Sequence, residues 1–379
     1  MQLLRKPRRR SSFPRPRRQS QTSNKPPHPL QPRSHHGREN ARHHSRRRRR
    51  IRLHRYAPLH QPRHRIPLTH PGLGAMGTPM AANIRLKLPA STTLHIHDAN
   101  ASASAAFCAA YSFHGPITIA SSAAAVATHA HTLISIVPGA ADVRSVYLDP
   151  LTGVVAAPAN GDRVMLECST IDVATTREVG GALAAAGRGT YVDAPVSGGV
   201  PGAVAGRLSI LLGMAADAEA AFRSRVDEVA GGMLGDPAKV FYLGGLGNGL
   251  AAKLANNYCA GVFNLVTAEA LNFGIRAGVD KEELVRVVLA STGASFMLEK
   301  VCPVPGVDPE APSSRDYEGG FRVEMMPKDI GLAVQMAEGL GAKVETGRAA
   351  LRVYEEAAGV EELRGRDASC VYRFLGGPE

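Results

Sequence analysis

The sequence predicts an α/β fold in which a doubly wound parallel-sheet domain is followed by an all-helical C-terminal domain. Three observations predict it. Five short apolar runs between residues 93 and 197 are separated by Ala-rich helical stretches, and strands alternating with helices imply parallel βαβ units. The strand signals stop near residue 247, where a long apolar helix begins. Ahead of the first run, Gly72-x-Gly74-x-x-Gly77 opens a helical stretch, and backbone N–H groups at such a helix start are suited to a phosphate.

The first segment, residues 1–65, is a basic tail of Arg, Pro, His and Ser. The chain has 379 residues and a net charge of +12, but residues 1–70 carry +20 and the rest −8. The acidic body argues against a nucleic-acid groove there. "SRRRRRIRLHR" is a like-charge run of the kind that stays solvated and disordered. Three origins fit the tail. An Arg-rich, Ser-containing, acid-poor N-terminus resembles a transit peptide, which would take the protein to the mitochondrial matrix. An incorrect gene start would leave it cytoplasmic. A basic arm would bind nucleic acid by neutralising phosphates.

Residues 66–245 form the predicted Rossmann-type domain. Its strands are "TLHIHD" (93–98), "PITIA" (116–120), "HTLISIVP" (131–138), "RVMLECST" (163–170) and "GTYVDAPVS" (189–197). In the glycine loop, Gly72, Leu73, Gly74, Met76 and Gly77 are the candidate dinucleotide contacts. Asp98 ends the next strand, 21 positions after Gly77, near the spacing at which an acid meets the adenosine ribose. A carboxylate there accepts from ribose hydroxyls and repels a 2′-phosphate, which favours NAD over NADP. The strand that should lead into Gly72 reads "RIPLTHPG", with Pro67 and Pro71 in what should be a central strand. Either that strand is short and distorted, or residues up to about 71 come from a wrongly joined gene segment. The second is the expectation here.

At the far end of this domain, "DAPVSGGVPGAVAGRL" places Ser197, Gly198 and Gly199 just after a buried strand. Glycine-rich turns and anion-binding loops use the same residue types, so these residues alone leave both open.

Residues 246–379 are predicted helical. "NGLAAKLANNYCAGVFNLVTAEALNFGIRAG" is one long helix ended by Gly278. Asp280 with Glu283 reads as a capping box for the next helix, and "PKDIGLAVQMAEGLG" as another with Pro327 in its first turn. Lys253 and Asn257 lie four apart, on one face of the long helix. Either they snorkel and cap, or they form a site in which Lys253 moves a proton and Asn257 orients substrate. Five scattered cysteines without a C-x-x-C pair suggest neither a zinc site nor a disulfide framework, and no metal is expected. Residues 99–141 lack Asp, Glu, Lys and Arg, but Pro116 and Pro138 break them into buried pieces rather than a membrane span.

From Gly72 to residue 375 the chain resembles the β-hydroxyacid dehydrogenase family. The resemblance rests on "GLGAMGTPMAANI", "LISIVP", "ECSTID", "DAPVSGGVPGAVAGRLSILLG", "GNGLAAKLANN" and "MPKDIGLA", in family order. "PVPGV" and "PSSRDYEGGF" look like its hydroxyisobutyrate branch. The resemblance implies that Ser197, Gly198 and Gly199 hold a substrate carboxylate and hydroxyl. It makes Lys253 the general acid–base and has Asn257 fix the substrate. Val137, Pro138 and Thr170 would line the nicotinamide-ribose side, and Lys328 would reach over the cofactor. It further implies NAD as cofactor, a small hydroxy acid as substrate, a homodimer or homotetramer, and no membrane. The implied reaction is oxidation of 3-hydroxyisobutyrate to methylmalonate semialdehyde, a step of valine breakdown. The alternatives are a related glyoxylate, succinic semialdehyde or tartronate semialdehyde reductase, or a nuclear homologue that binds nucleic acid through the tail. The chain departs from the family at Phe296, where Trp is usual, at Pro327 for Ala, at Ala368 for Phe, and in its first strand.

Overall fold

A computed structural model describes residues 68–379, with side chains from Gly72 onward, so the expectations for the basic tail fall outside the described residues. The first part of the chain alternates β1 (Leu68–Pro71), α1 (Gly77–Lys87), β2 (Leu94–His97), α2 (Ala101–Tyr111), β3 (Ile117–Ile119), α3 (Ala123–His129), β4 (Thr132–Ser135), α4 (Ala140–Leu148), β5 (Val164–Glu167), α5 (Val173–Ala185) and β6 (Thr190–Asp193). The strands are all parallel, in the order β3-β2-β1-β4-β5-β6. This is the doubly wound topology whose ligand crevice lies at the carboxyl ends of the strands, where the order reverses between β1 and β4.

Side-chain alternation explains why both faces are covered. Ile134, Val164, Leu166 and Val192 join one buried cluster with Met80, Ile84 and Phe107 of α1 and α2. Leu133, Met165 and Tyr191 point the other way, into a cluster with Val143, Tyr147, Val179 and Leu183 of α4 and α5. Continuous apolar runs are the sequence signature of strands buried on both faces.

The first strand exists, in the short form. Residues Leu68–Pro71 pair with Leu94–His97 of β2, but only Leu68 and Thr69 pair with β4. Pro71 therefore lies beyond the β4 register, so its missing N–H breaks no ladder on that side. A four-residue strand ending this way satisfies the central position that the prolines argued against.

A second sheet was not expected. β7 (Val196–Ser197) is antiparallel to β8 (Leu208–Leu212), which is parallel to β9 (Gly235–Tyr242). Between these strands lie α6 (Gly199–Val204) and α7 (Ala220–Asp227). The rest is helical: α8 (Asn248–Arg276), α9 (Lys281–Leu289), α10 (Phe296–Lys300), α11 (Met326–Gly339), α12 (Glu345–Ala358) and α13 (Val371–Phe374). Their common core gathers Leu265, Leu271, Tyr317, Ile330 and Tyr354. Asp280 caps α9 by accepting from the N–H groups of Glu282 and Glu283. The reciprocal half of the capping box is absent, because the Glu283 carboxylate pairs with Arg286. No helix among the described residues is long and apolar enough to cross a membrane.

One buried carboxylate joins the sheet to the long helix. Asp193, the last residue of β6, accepts from the N–H of Gly247 and of Leu250, each at 2.8 Å. It thus satisfies donors in the first turn of α8 that a helix leaves free. Gly249 permits this approach: a Cβ there would overlap the Leu211 carbonyl oxygen and lie 2.9 Å from Asp193 Oδ2.

Candidate active site

The loops that follow β1, β2, β4 and β5 converge at the carboxyl ends of the strands. Gly72 has φ +103°, and a Cβ on it would overlap the Ile136 carbonyl oxygen beside Val137. Only glycine suits that left-handed conformation and close approach. Asp98 organises the loop by accepting from Leu73 N at 2.5 Å and Asn100 N at 2.7 Å. Thr78 closes it with a hydroxyl bond to the Leu73 carbonyl at 2.6 Å. Met76 packs its side chain against the sheet core. A Cβ on Gly74 would meet nothing within 4 Å, so that face of the loop is open. The first turn of α1 carries no acidic side chain, so no negative group opposes its dipole where an anion would approach; Thr78 N is taken by the Gly74 carbonyl and Met80 N by that of Met76. These residues fit a dinucleotide. Each Asp98 oxygen keeps a lone pair for a ribose hydroxyl beyond its bond to the backbone.

The loops after β4 and β5 are tied together and to α11. Val137 N donates to Ser169 Oγ at 2.7 Å. Lys328 Nζ donates to the Thr170 carbonyl at 3.0 Å and pairs with Asp329 Oδ1 at 3.0 Å. Pro138 is exposed beside them.

The second group of side chains lies on α8 and α11. Lys253 is 8% exposed, and Asn257, one turn on, is half-buried. Asn257 Nδ2 donates to Asp329 Oδ2 at 2.7 Å, so the buried Asp329 carboxylate serves Asn257 through one oxygen and Lys328 through the other. Burial depresses Lys253 to about 8; the negative Asp329 opposes that shift and the positive Lys328 adds to it. A buried amine able to lose its proton near neutrality is the profile of a general acid–base. Two lysines against one carboxylate also favour an anionic ligand.

Ser197 stands on β7, in register with Ser209, and is half-buried. Gly198 and Gly199 follow it with φ +133° and +61° and are exposed. Among the described residues no hydrogen bond joins these three to Lys253 or Asn257. Their link to the helix runs through Asp193, four positions before Ser197. Asp329 is the site residue that sequence reasoning left without a role. Its one signal was its place next to Lys328 in "PKDIGLA", which reads equally well as an ordinary first-turn acid.

Comparison with known proteins supplies the family. Residues 68–270 match the model described as the NAD binding domain of 6-phosphogluconate dehydrogenase, and residues 247–375 that described as NAD-binding of NADP-dependent 3-hydroxyisobutyrate dehydrogenase. The chain is 36% identical to a Pseudomonas aeruginosa 3-hydroxyisobutyrate dehydrogenase, over 81% of this chain and 98% of that one. It is 38% identical to a P. aeruginosa NAD-dependent L-serine dehydrogenase, over 75% and 89%, and 33% identical to the human mitochondrial 3-hydroxyisobutyrate dehydrogenase, over 82% and 87%. The solved Mycobacterium tuberculosis 3-hydroxyisobutyrate dehydrogenase with L-serine matches with TM-score 0.72 at 31% identity, covering 82% of this chain and 99% of that one. With its dinucleotide topology and its buried lysine, the chain belongs to the 3-hydroxyisobutyrate dehydrogenase family, hydroxyacid dehydrogenases that use NAD.

Proposed function

We propose that the protein oxidises 3-hydroxyisobutyrate to methylmalonate semialdehyde, as in valine breakdown, with Lys253 as general base. The observation that carries the reading is the cluster of Lys253, Asn257, Lys328 and Asp329 beside the dinucleotide loops. NAD accepts the hydride; the protein supplies orientation and proton transfer. Lys253 takes the hydroxyl proton as its free amine. Asn257, held by Asp329, fixes the substrate, and Ser197 with the Gly198 and Gly199 N–H groups receives its carboxylate. Lys328, Val137, Pro138 and Thr170 bound the nicotinamide side.

The L-serine dehydrogenase relative favours a second reading. L-serine and 3-hydroxyisobutyrate share the frame HO–CH₂–CH–COO⁻ and differ in an ammonium against a methyl group. Below about pH 8, where Lys253 is an ammonium, the cluster carries two lysines against one carboxylate and disfavours binding of a further ammonium, which tips the choice to the methyl compound. "PVPGV" and "PSSRDYEGGF" hold each other: Ser313 donates to the Cys302 carbonyl at 2.6 Å and Tyr317 to that of Pro303 at 2.8 Å. Their branch-like pattern therefore supports kinship through packing rather than substrate contact.

Steady-state kinetics with both hydroxy acids, and in reverse with glyoxylate, succinic semialdehyde and tartronate semialdehyde, test the reading. The highest kcat/KM is expected for 3-hydroxyisobutyrate; a higher value for any other compound overturns it. Asp98 sets a separate expectation: kcat/KM with NAD should exceed that with NADP by about tenfold or more, a difference of about 1.4 kcal/mol. Equal values would place Asp98 away from the ribose. Residence in the mitochondrial matrix is supported by the Arg-rich tail and by mitochondrial relatives, and imaging of the full-length protein tests it.

A further inference from the structure

A chain of buried polar groups runs beneath the loops after β4 and β5. Glu167, the last residue of β5, is wholly buried. Its Oε2 accepts from the hydroxyl of Ser135 at the end of β4, whose Oγ lies 2.6 Å from Tyr147 OH on α4. Its Oε1 accepts from Ser169 N at 2.7 Å, and Ser169 Oγ in turn accepts from Val137 N at 2.7 Å. None of the ion pairs among the described residues involves Glu167. A buried carboxylate without a cation is costly, and packing alone would be served as well by an apolar side chain.

We propose that Glu167 is a positioning residue for the dinucleotide: as a carboxylate it locks the loops bearing Val137, Pro138 and Thr170 into the shape that receives the nicotinamide side, and protonation releases that lock. The inference rests on the placement of those loops beside the cofactor. As a carboxylate it accepts from Ser135 and Ser169 N together in charge-assisted bonds, and protonation weakens the Ser169 N bond to that of a neutral carbonyl. Once protonated it must itself donate, which reverses the bond to Ser135 and sets the Ser135 and Tyr147 hydrogens in competition.

The groups facing Glu167 leave it as the one that switches. Tyr147 from α4, Tyr191 from β6 and the adjacent Cys168 are all pushed up by burial first and by Glu167 second, so they stay neutral. Asp193, in register on β6, is also raised by burial, but the Gly247 and Leu250 N–H groups hold its carboxylate. Burial lifts Glu167 to about 7 against the bonds from Ser135 and Ser169. A raised folded-state value means that the stability Glu167 contributes is full below the unfolded value and is lost as pH rises through about 7.

NADH binding to the full-length protein, followed by fluorescence between about pH 6 and 8, tests this together with thermal unfolding in the absence of cofactor. Wild type should bind NADH about tenfold more weakly at the acid end. Without cofactor it should lose stability relative to Glu167→Gln as pH rises. Glu167→Gln should bind weakly at every pH in that range, with KM for NAD raised more than kcat is lowered. Ser169→Ala keeps the carboxylate but frees Val137 N, and should reproduce the weak binding; it decides the matter if Glu167→Gln does not fold. Pro138→Glu, at the exposed loop position, reports on placement. Normal NADH binding by Pro138→Glu overturns the underlying site reading. Weak binding by Pro138→Glu with wild-type affinity and pH dependence in the Glu167 and Ser169 variants overturns the inference alone.

Discussion

Lys253→Ala should lower turnover by about 10²–10⁴-fold, the range for loss of a general acid–base, while NADH binding is largely kept. The amine is the buried titratable group on the helix face that carries Asn257, and neither Asn257 nor Lys328 can replace it: one is an amide, the other is tied to Thr170 and Asp329. Lys253→Arg should not rescue, because a guanidinium does not give up its proton in this range. With the free amine as the proposed base, the oxidation rate should rise with pH through about 8; bound NAD, carrying positive charge on the nicotinamide, draws that midpoint lower. The reverse reduction needs the ammonium and should fall over the same range. Stability separates catalysis from structure. A lysine depressed from 10.5 to about 8 costs the fold on the order of 3 kcal/mol at neutral pH, a cost that disappears as pH rises through 8 to 10.5. Lys253→Met should therefore melt higher than wild type even as turnover collapses. Near-normal turnover in the Ala variant would remove Lys253 from the mechanism, and a lower melting temperature in the Met variant would show that the amine holds the fold.

Gly249→Ala should damage both the fold and the site. The new Cβ would overlap the Leu211 carbonyl and press on Asp193 Oδ2 and Gly213 N, both at 2.9 Å. Two of these three atoms are backbone in β8 and the turn after it, and Asp193 is wholly buried, so the helix must give. Overpacking of this kind costs about 1–3 kcal/mol. Lys253 sits one turn further along α8, and a displacement near 1 Å at a reacting group costs about 10²-fold in rate. The variant should lose both, read from its unfolding midpoint and from kcat/KM. A variant with normal rate and normal midpoint would show that the helix is not seated as described.

The sequence disclosed most of this framework, and the failures share a cause. The strands β2, β4, β5 and β6 were legible because burial on one or both faces writes apolar runs into them. β1 was not: Pro71 argues against a central strand until the register shows that β4 reaches only Leu68 and Thr69. β9 contains Asp236, Pro237 and Lys239 at an edge, where exposure removes the apolar pattern. Gly72, Asp98, Lys253 and Asn257 were legible as candidates because local spacing sets their geometry. Asp329, Asp193 and Glu167 escaped because each works on partners that only the fold brings near. Asp329 meets Asn257 across 72 positions and Asp193 meets Leu250 across 57. A sequence shows an acid in a strand end or a first helical turn as unremarkable.

The seating of α8 governs how the enzyme fails on heating. The helix enters one hydrophobic core at Leu250 and another at Leu265, Ala268 and Leu271, and Asp193 pins its first turn to β6. Freeing Lys253 thus means opening both cores and breaking a buried set of charge-assisted bonds, which no small local fluctuation achieves. The amides in the buried part of α8 should exchange slowly, on global unfolding, whereas those of the exposed Gly198 and Gly199 should exchange on the scale of local motion; hydrogen exchange checks this. Catalytic power should therefore be lost in the same cooperative step as the fold, and below that temperature the Lys253 end of the candidate site should keep its shape while the glycine loop after Ser197 moves around it.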